Sequence, residues 1–322
     1  EKDGFDVTFT DAPARDYNIE TVCRMGEDLS PGLVVVDTST PSIDNDLDVC
    51  KKIRQIFPQT FIVLVGTHVS ALPEETLTRC HAVNAVARRE YEFTILELAR
   101  ALKQARQGQA SDLSSILGLS YRTMDTDAGA GKGADANPII QNPDRPFIEN
   151  LDDLPWVSPV YKKHLRIADY FNPNARFPMV TLVTSRGCPF RCRFCVYPQT
   201  LTGRKFRFRS VENVIEELKY VKKAFPDLKS VFFEDDTLSA SKKRCIALSK
   251  AMIKEKINLA WTTNSRVDPD YETLAMMKQA GCKTLCVGFE SGEQQTLNTM
   301  SKGIKKEKMF RFMADARKAQ IL

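Results

Sequence analysis

The sequence has 322 residues, of which 43% are hydrophobic and 27% are charged, and its formal net charge is +5. These proportions are typical of a globular protein that is large enough for two domains, each with its own core. The weak positive charge gives no reason to expect nucleic acid as a partner. No apolar run is long enough to span a membrane, and the N-terminal residues do not form a signal peptide.

Strands and helices alternate through the first part of the chain. Strands are predicted over residues 5–12, 32–37, 61–66 and 83–89, and the apolar runs at 32–37 and 61–66 are typical of buried parallel strands. Helices are predicted over residues 17–26, 46–56, 72–80 and 94–106, the last of which is amphipathic. This alternation predicts an α/β fold in which residues 1–106 form a doubly wound, flavodoxin-like domain with a parallel sheet. Ligands of such sheets bind beyond the carboxyl ends of the strands, here residues 37–40, 66–68 and 88–90.

Residues 107–178 are predicted to form a linker. Within it, residues 116–122 and 137–142 have the pattern of a β-hairpin around a Gly-rich tip at residues 125–136. The tip lacks the G-x4-G-K-[ST] pattern of a phosphate-binding loop and no predicted helix follows it, so we expect a flexible turn. An extended segment punctuated by Pro then leads to the second domain.

The alternation of strands and helices resumes at residue 179. Strands are predicted over residues 179–184, 229–236, 259–264 and 282–291, and helices over residues 211–225, 241–256, 270–280 and 305–319. Residues 179–322 are therefore predicted to form the first four βα units of a partial parallel barrel, with residues 320–322 starting a fifth strand. Parallel barrels place their functional groups at the carboxyl ends of the strands.

Three cysteines follow the first predicted barrel strand at the spacing C-x3-C-x2-C: Cys188, Cys192 and Cys195. Thiolates at such short spacing can bind one side of an iron–sulfur cluster and leave one iron open to a small chelating molecule. A structural zinc site with its fourth ligand elsewhere is the alternative. The remaining cysteines are scattered through apolar stretches and are expected to be reduced core thiols of a cytoplasmic protein. Cys282 and Cys286 are expected to share one face of a strand.

The loop T-S-R-G-C-P-F-R-C-R-F-C-V-Y-P-Q at residues 184–199 resembles the cluster loop of radical S-adenosylmethionine (SAM) enzymes. The resemblance implies a [4Fe-4S] cluster on the three cysteines, with SAM bound to the open iron. It also implies that one electron from the cluster cleaves SAM to a 5'-deoxyadenosyl radical. A reductant such as flavodoxin or ferredoxin would supply that electron.

The same resemblance implies SAM contacts at the rim of the barrel. Asp235 and Asp236 stand where the family contacts the SAM amino group, with helix capping as the alternative. Arg266 is expected to pair with the SAM carboxylate or to be an ordinary surface residue. The full set of predicted SAM-binding residues is Phe194, Tyr197, Asp235, Asp236, Asn264, Arg266, Glu290 and Ser291.

The N-terminal domain resembles the cobalamin-binding domain found ahead of many radical SAM domains, and the likeness is clearest in V-G-T-H-V-S-A-L-P-E-E. The D-x-H-x-x-G pattern of a cobalt-binding histidine fails around His68, because positions 66 and 71 are Gly66 and Ala71. Cobalamin is therefore predicted to bind without a His ligand, and His68 could instead be a loop residue that bonds the backbone. The residues predicted to contact cobalamin are Ser39, Thr40, Gly66, Thr67, His68 and Glu90. Compared with the family, the sequence is expected to be truncated at both ends.

Phrases such as V-A-R-R-E-Y-E-F-T and F-F-E-D-D-T are similar to the hopanoid-biosynthesis-associated branch of this family. The likeness implies radical remodelling of a hopanoid lipid head group, and hence a small-molecule or lipid-linked substrate. In residues 203–209, basic and aromatic residues alternate, which predicts a cationic face that is either solvated or a clamp for an anionic or lipid-linked substrate. A cobalamin-dependent methyltransferase that acts on an unactivated carbon and an iron–sulfur electron carrier are the alternative functions.

Overall fold

The computed structural model of the chain describes residues 2–110, 112–123 and 138–322. These residues form two compact units. The N-terminal unit comprises Tyr17–Ile148 and Val196–Thr202, and the C-terminal unit comprises Glu149–Cys195, Gly203–Leu322 and the segment that ends at Asp16. The predicted linker is therefore divided between the units after Ile148, and its Gly-rich tip at residues 125–136 lies outside the described residues.

The N-terminal unit is built on one five-stranded sheet in the order β1-β2-β3-β4-β5. Its strands are β1 (Leu33–Thr38), β2 (Phe61–Gly66), β3 (Ala85–Ala87), β4 (Leu119–Arg122) and β5 (Ile139–Gln141). The first three strands are parallel, whereas β4 and β5 form an antiparallel hairpin that extends the sheet from β3. The predicted α/β class is thus confirmed, with a mixed rather than wholly parallel sheet.

Helices flank this sheet on both faces. They are α1 (Ile19–Leu29), α2 (Ile43–Ile56), α3 (Thr67–Ala71), α4 (Pro73–Arg79) and α5 (Glu92–Arg106), together with the short α7 (Tyr197–Thr200). All six residues of β2 are buried, since Ile62 and Leu64 pack into one apolar cluster and Val63 and Val65 into another. A continuous apolar run suits such a strand because both of its faces are covered.

The strand predicted over residues 5–12 is wrong. These residues form no strand and belong to the C-terminal unit. In F-D-V-T-F-T-D-A only every other residue is apolar, and the side chains of Val7 and Phe9 are 41% and 47% exposed. A central parallel strand would have to bury both faces, which this sequence cannot do without burying Asp and Thr.

The C-terminal unit contains a four-stranded parallel sheet in the order β11-β10-β9-β6. Its strands are β6 (Met179–Leu182), β9 (Ser230–Phe233), β10 (Ala260–Ser265) and β11 (Cys282–Val287). The helices are α6 (Ser158–His164), α8 (Val211–Ala224), α9 (Lys242–Lys254), α10 (Tyr271–Gln279), α11 (Gln294–Thr299) and α12 (Lys306–Lys318). Leu322 exchanges backbone hydrogen bonds with Lys283 and Leu285 of β11, where the fifth strand is predicted to begin.

One face of this sheet packs against the helices. On β9, Val231 and Phe233 point into the large core, so Phe232 and Glu234 point to the opposite face. On β11 the register shifts beside Trp261 and Thr262 of β10. This irregularity breaks the alternation, so Cys282 is buried and Cys286 is partly exposed; the prediction that both face one core is wrong.

A small antiparallel ribbon, β7 (Ser185–Arg186) with β8 (Arg207–Phe208), lies beside this sheet. The cationic face predicted over residues 203–209 is wrong for its C-terminal part, because Arg207 and Arg209 are buried while Phe208 is 50% exposed. Arg209 is buried because its guanidinium pairs with Glu217 at 2.6 Å and donates to the carbonyl of Val183. In the parts of the chain that the structure describes, no helix is both long and apolar enough to cross a membrane.

Candidate metal centre and cofactor sites

Two backbone hydrogen bonds attach the three-cysteine loop to the rest of the C-terminal unit. At its start, the backbone N–H of Cys188 donates to the carbonyl of Gly203 at 3.1 Å. Further along, the N–H of Arg193 donates to the carbonyl of Met300 at 2.9 Å, so the segment after α11 supports the loop. Cys192 is buried, whereas Cys188 and Cys195 are partly exposed. The loop is thus held between the segment that precedes β8 and the segment after α11.

Asp235, which follows β9, holds the base of this loop. One carboxylate oxygen accepts the N–H groups of Thr184 and Ser185 at 2.6 and 3.1 Å, and the other accepts their hydroxyls at 2.6 and 2.7 Å. A carboxylate has about four acceptor positions, so these four hydrogen bonds occupy all the acceptor positions of Asp235. The predicted contact between Asp235 and SAM remains a prediction, and the geometry favours a positioning role.

Asp236 and Arg266 also contact the loop. Asp236 accepts the N–H of Gly187 at 2.7 Å. Arg266 is not the surface residue of the alternative prediction, because it is buried and one of its nitrogens lies 3.8 Å from the Sγ of Cys192. The structure therefore brings three predicted residues to the cysteine loop: Asp235, Asp236 and Arg266.

Glu290 and Phe194 are brought together by a lysine that the sequence motifs did not indicate. The Nζ of Lys302 donates to Glu290 at 2.7 Å and lies 5.6 Å from the centre of the Phe194 ring. Glu290 has φ +63°, and Glu290 and Ser291 line a cleft of about 400 Å³. Tyr197 lies on α7 in the N-terminal unit and is about half exposed.

A polar row crosses the ends of three neighbouring strands on the face away from the helices. The amide of Asn264 donates to Glu234 at 3.3 Å, and Cys286 pairs with Asn264 in the register of β10 and β11. Burial raises the pKa of Glu234, and burial followed by the charge of Glu234 raises the pKa of Cys286. Glu234 was missed as a site residue, although its spacing of two from Phe232 could have indicated it.

The donor set of the loop fits an iron–sulfur cluster. None of the three cysteines Cys188, Cys192 and Cys195 forms a disulfide. Burial raises the pKa of the Cys188 thiol, a backbone hydrogen bond from Phe190 partly offsets this, and the charges of Asp236, Cys195 and Cys192 raise the pKa further. Cysteines bind metal as thiolates, so cluster assembly releases their protons. Among the described residues, no group of three or more His, Cys, Asp or Glu side chains is arranged to hold a single metal ion. In a cluster each cysteine binds a different iron, so the sulfurs need not converge on one point as zinc ligands must.

In the N-terminal unit, the ends of β1 and β2 carry two buried polar atoms without a partner. The Nδ1 of His68 shares a hydrogen bond with the hydroxyl of Thr40 at 3.1 Å. His68 is only 4% exposed, and neither its Nε2 nor the hydroxyl of Thr38 has a hydrogen-bond partner among the described residues. Buried polar atoms are normally paired, so this edge fits a polar ligand such as the amide-rich cobalamin.

The other residues predicted to contact cobalamin have structural partners of their own. Gly66, at φ +114°, lies so close to Thr38 that an added Cβ would be 2.1 Å from its carbonyl oxygen. Ser39 shares a hydrogen bond with Ser42 at 3.0 Å, and Thr67 begins α3. Glu90 is buried and accepts the N–H of Ile148 at 2.8 Å. Their contacts with cobalamin remain predictions.

Comparison with known proteins defines the class of domain in each part of the chain. The family model of the Radical SAM superfamily matches residues 182–322, and the model of the B12 binding domain matches residues 1–99. The chain therefore carries a radical SAM domain preceded by a B12-binding domain. These domains imply the three predicted cofactors: a [4Fe-4S] cluster, SAM and cobalamin.

Two curated relatives are similar over most of the chain. An uncharacterized methyltransferase of Pyrococcus horikoshii, PH0819, is 34% identical over 300 residues, which are 93% of this chain and 60% of the relative. An anaerobic magnesium-protoporphyrin IX monomethyl ester cyclase of Rubrivivax gelatinosus is 26% identical over 302 residues, which are 92% of this chain and 50% of the relative. The chain spans about half or slightly more of the length of these relatives.

The fold is shared with the cobalamin-dependent S-adenosylmethionine radical enzyme OxsB with aqua-cobalamin bound. The TM-score is 0.73 at 17% identity, and the match covers 94% of this chain and 42% of OxsB. At this identity the likeness shows the fold alone, and it confirms the predicted order of domains. A hopanoid C-3 methylase of Methylococcus capsulatus is only 23% identical over 84% of this chain and 47% of the relative, so the hopanoid branch is not confirmed.

Proposed function

We propose that the protein is a cobalamin-dependent radical SAM methyltransferase that acts on an unactivated carbon. The observation that carries this proposal is a supported three-cysteine loop in the same chain as a B12-binding domain with unpartnered polar atoms at its ligand edge. The methyltransferase relative, which is similar over 93% of this chain, favours methyl transfer over other radical reactions. When bound, the cluster and SAM supply a radical that removes a substrate hydrogen atom, and cobalamin supplies the methyl group.

Each residue of the C-terminal site has a role in this proposal. Cys188, Cys192 and Cys195 hold the cluster, and Asp235 fixes the strand end from which their loop departs. Its four accepted hydrogen bonds leave it no acceptor position for SAM, so we assign it to positioning rather than to binding. The SAM-binding residues that the C-terminal unit supplies in this proposal are Phe194, Asp236, Asn264, Glu290 and Ser291. The contact of Tyr197 with SAM remains a prediction.

A radical rearrangement or ring closure is the second candidate, because the cyclase relative is similar over 92% of this chain. Remodelling of a hopanoid head group has no such support, since the hopanoid relative is a methylase and is more distant. The substrate class that we propose is a small or lipid-linked molecule. We also infer a one-electron reductant such as flavodoxin or ferredoxin. A cytoplasmic location is proposed too, because none of the nine cysteines forms a disulfide.

The test is anaerobic reconstitution with iron, sulfide and hydroxocobalamin, followed by reduction in the presence of SAM. Methyl transfer consumes SAM to S-adenosylhomocysteine as well as to 5'-deoxyadenosine, so we expect both products. Formation of 5'-deoxyadenosine alone, with cobalamin bound, would favour the second candidate. Cys192→Ala should lose cluster iron and both products. Cys245→Ala removes a buried thiol outside the loop and is the matched control, with full iron content expected.

A further inference from the structure

The guanidinium of Arg266 lies directly beside the second cysteine of the loop. Its Nη1 is 3.8 Å from the Sγ of Cys192, and its Cζ is 3.7 Å from the centre of the Phe190 ring. Phe190 belongs to the same loop, two residues before Cys192. Arg266 itself is 5% exposed, so this cation is largely removed from water. The orientation of the guanidinium is fixed, because one face of the planar group stacks on the Phe190 ring and one edge lies against the Sγ of Cys192.

The remaining nitrogens of Arg266 fix that orientation. Its Nη2 donates to the carbonyl of Lys302 at 2.7 Å, and its Nε donates to Asp268 at 3.1 Å. The backbone N–H of Arg266 donates to the hydroxyl of Ser239 at 2.8 Å. Asp268 also pairs with Lys308, so one carboxylate is shared by two cations and this group keeps a net positive charge.

A positive N–H donor beside a cluster sulfur has a definite electrostatic effect. The reduced cluster carries one more negative charge than the oxidised cluster. A nearby cation and an N–H···S hydrogen bond therefore stabilise the reduced form more strongly, and burial of the pair strengthens both effects. Hydrogen bonds to the sulfurs and solvent exposure are among the features that set the potential of such clusters.

We propose that Arg266 is a positioning residue that donates to the Cys192 thiolate and raises the reduction potential of the cluster, and that it does not bind the SAM carboxylate. This inference rests on the proposed function, because it requires a cluster on the three cysteines. It also explains why a charged residue is buried at the end of β10, where it joins the cysteine loop to the segment after α11. Residues that orient metal ligands from outside the ligand set commonly tune the metal in this way.

The test measures the potential rather than turnover. The full chain is reconstituted with iron and sulfide, and the cluster is titrated between its oxidised and reduced states in the absence of SAM, with electron paramagnetic resonance as the readout. Arg266→Met removes the charge and the donor, and Arg266→Lys keeps the charge without the planar fork. Arg204→Met is the matched control, because Arg204 donates to the carbonyl of Phe190 on the same loop but is exposed.

In Arg266→Met we expect the ratio of reduced to oxidised cluster at a fixed potential to fall about tenfold, which is 59 mV for a one-electron couple. The reduction potential of the cluster should fall less in Arg266→Lys than in Arg266→Met. In Arg204→Met it should equal that of the wild type. Equal potentials in the wild type and in Arg266→Met, each with full iron content, would overturn the inference. So would an equal shift in Arg204→Met, since any nearby charge would then suffice.

If Arg266→Met does not retain iron, Arg266→Gln takes its place, because the amide can still donate to the carbonyl of Lys302 but carries no charge. A loaded Arg266→Gln cluster with the wild-type potential would contradict the inference. Failure of both variants to hold iron would also contradict it, since Arg266 would then be needed to fold the loop and not to tune it. A wild-type chain that holds no cluster would instead contradict the proposed function itself.

Discussion

A carboxylate oxygen of Asp235 lies 2.6 Å from the hydroxyl of Thr184 at a point where neither side chain reaches solvent. The bond belongs to the set of four through which Asp235 holds the strand end ahead of the three cysteines. The residue that the sequence placed against SAM is therefore part of the support of the cluster loop.

The first prediction concerns this support. In Asp235→Asn the amide presents one acceptor oxygen instead of two, and its NH2 group faces donors. We expect the free energy of unfolding, measured before reconstitution, to fall by about 3 kcal/mol, because at least two buried donors lose their acceptor. Urea denaturation measures the change, and iron content after reconstitution should also fall. In the control Asp236→Asn the amide oxygen can still accept from Gly187, so about 0.5 kcal/mol is expected. Equal losses in the two variants would contradict the assignment.

The alternation of β9 shows how much of this could be predicted. Val231, Phe233 and Asp235 are alternate residues, so Asp235 continues the face that packs against the helices. The strand and its polar end were predicted correctly, but the two acids were treated as equivalent. The alternation of side chains along a strand, taken alone, would have predicted that Asp235 points away from the barrel rim and that Glu234 points towards it.

The structure also differs from the sequence predictions where the burial of a side chain depends on a partner that is distant in the sequence. The pattern of residues 203–209 indicates two faces, but it cannot show that Arg209 is buried by an ion pair with Glu217 on α8. Lys302 lies in no sequence motif that would indicate a functional residue. It contacts Glu290 and Phe194 because the chain folds back towards them after α11. The strands were predictable because their apolar runs are local signals, whereas these pairings depend on the packed structure.

A second prediction concerns the buried ion pair of Arg209 and Glu217. Glu217 has no solvent exposure, and it also accepts the hydroxyl of Ser158 at 2.7 Å. Glu217→Ala leaves the guanidinium buried without its partner, so we expect a loss of about 3–5 kcal/mol in the free energy of unfolding. The neighbouring Glu216 pairs with Lys219 at the surface, and Glu216→Ala should cost less than about 1 kcal/mol. Guanidinium denaturation of both variants checks this, and comparable losses would argue against a buried pair.

A third prediction concerns the start of α10. One oxygen of Asp270 caps the helix by accepting the N–H of Thr273 at 3.1 Å, and the other accepts Lys242 at 2.8 Å. The hydrogen bond with Lys242, followed by those with Thr273, lowers the pKa of Asp270. Because the folded pKa lies below the unfolded value of about 3.9, the stabilisation is complete above that value and is lost as the pH falls through the folded pKa.

Asp270→Ala should therefore cost about 1 kcal/mol at pH 7, and less as the pH falls below about 4. Urea denaturation at pH 7, 5 and 3 measures the difference from the wild type. In a Lys242→Gln background the dependence on pH should become weaker, because the main cause of the low pKa is absent. A difference that stays constant from pH 7 to pH 3 would show that the charge of Asp270 contributes nothing beyond its cap.

The last prediction concerns the unpartnered Nε2 of His68. If this nitrogen bonds a polar group of cobalamin, His68→Ala removes one buried hydrogen bond of about 1.4 kcal/mol and weakens cobalamin binding about tenfold. Titration with hydroxocobalamin, followed by absorbance, measures the dissociation constant. The absorbance of the bound cofactor should be the same in the variant and the wild type, because no His ligand to cobalt is predicted. His81 is exposed, so His81→Ala is the matched control and should bind as the wild type does. Equal affinities in all three proteins would place cobalamin away from His68, and a changed spectrum in His68→Ala alone would show that His68 binds the cobalt.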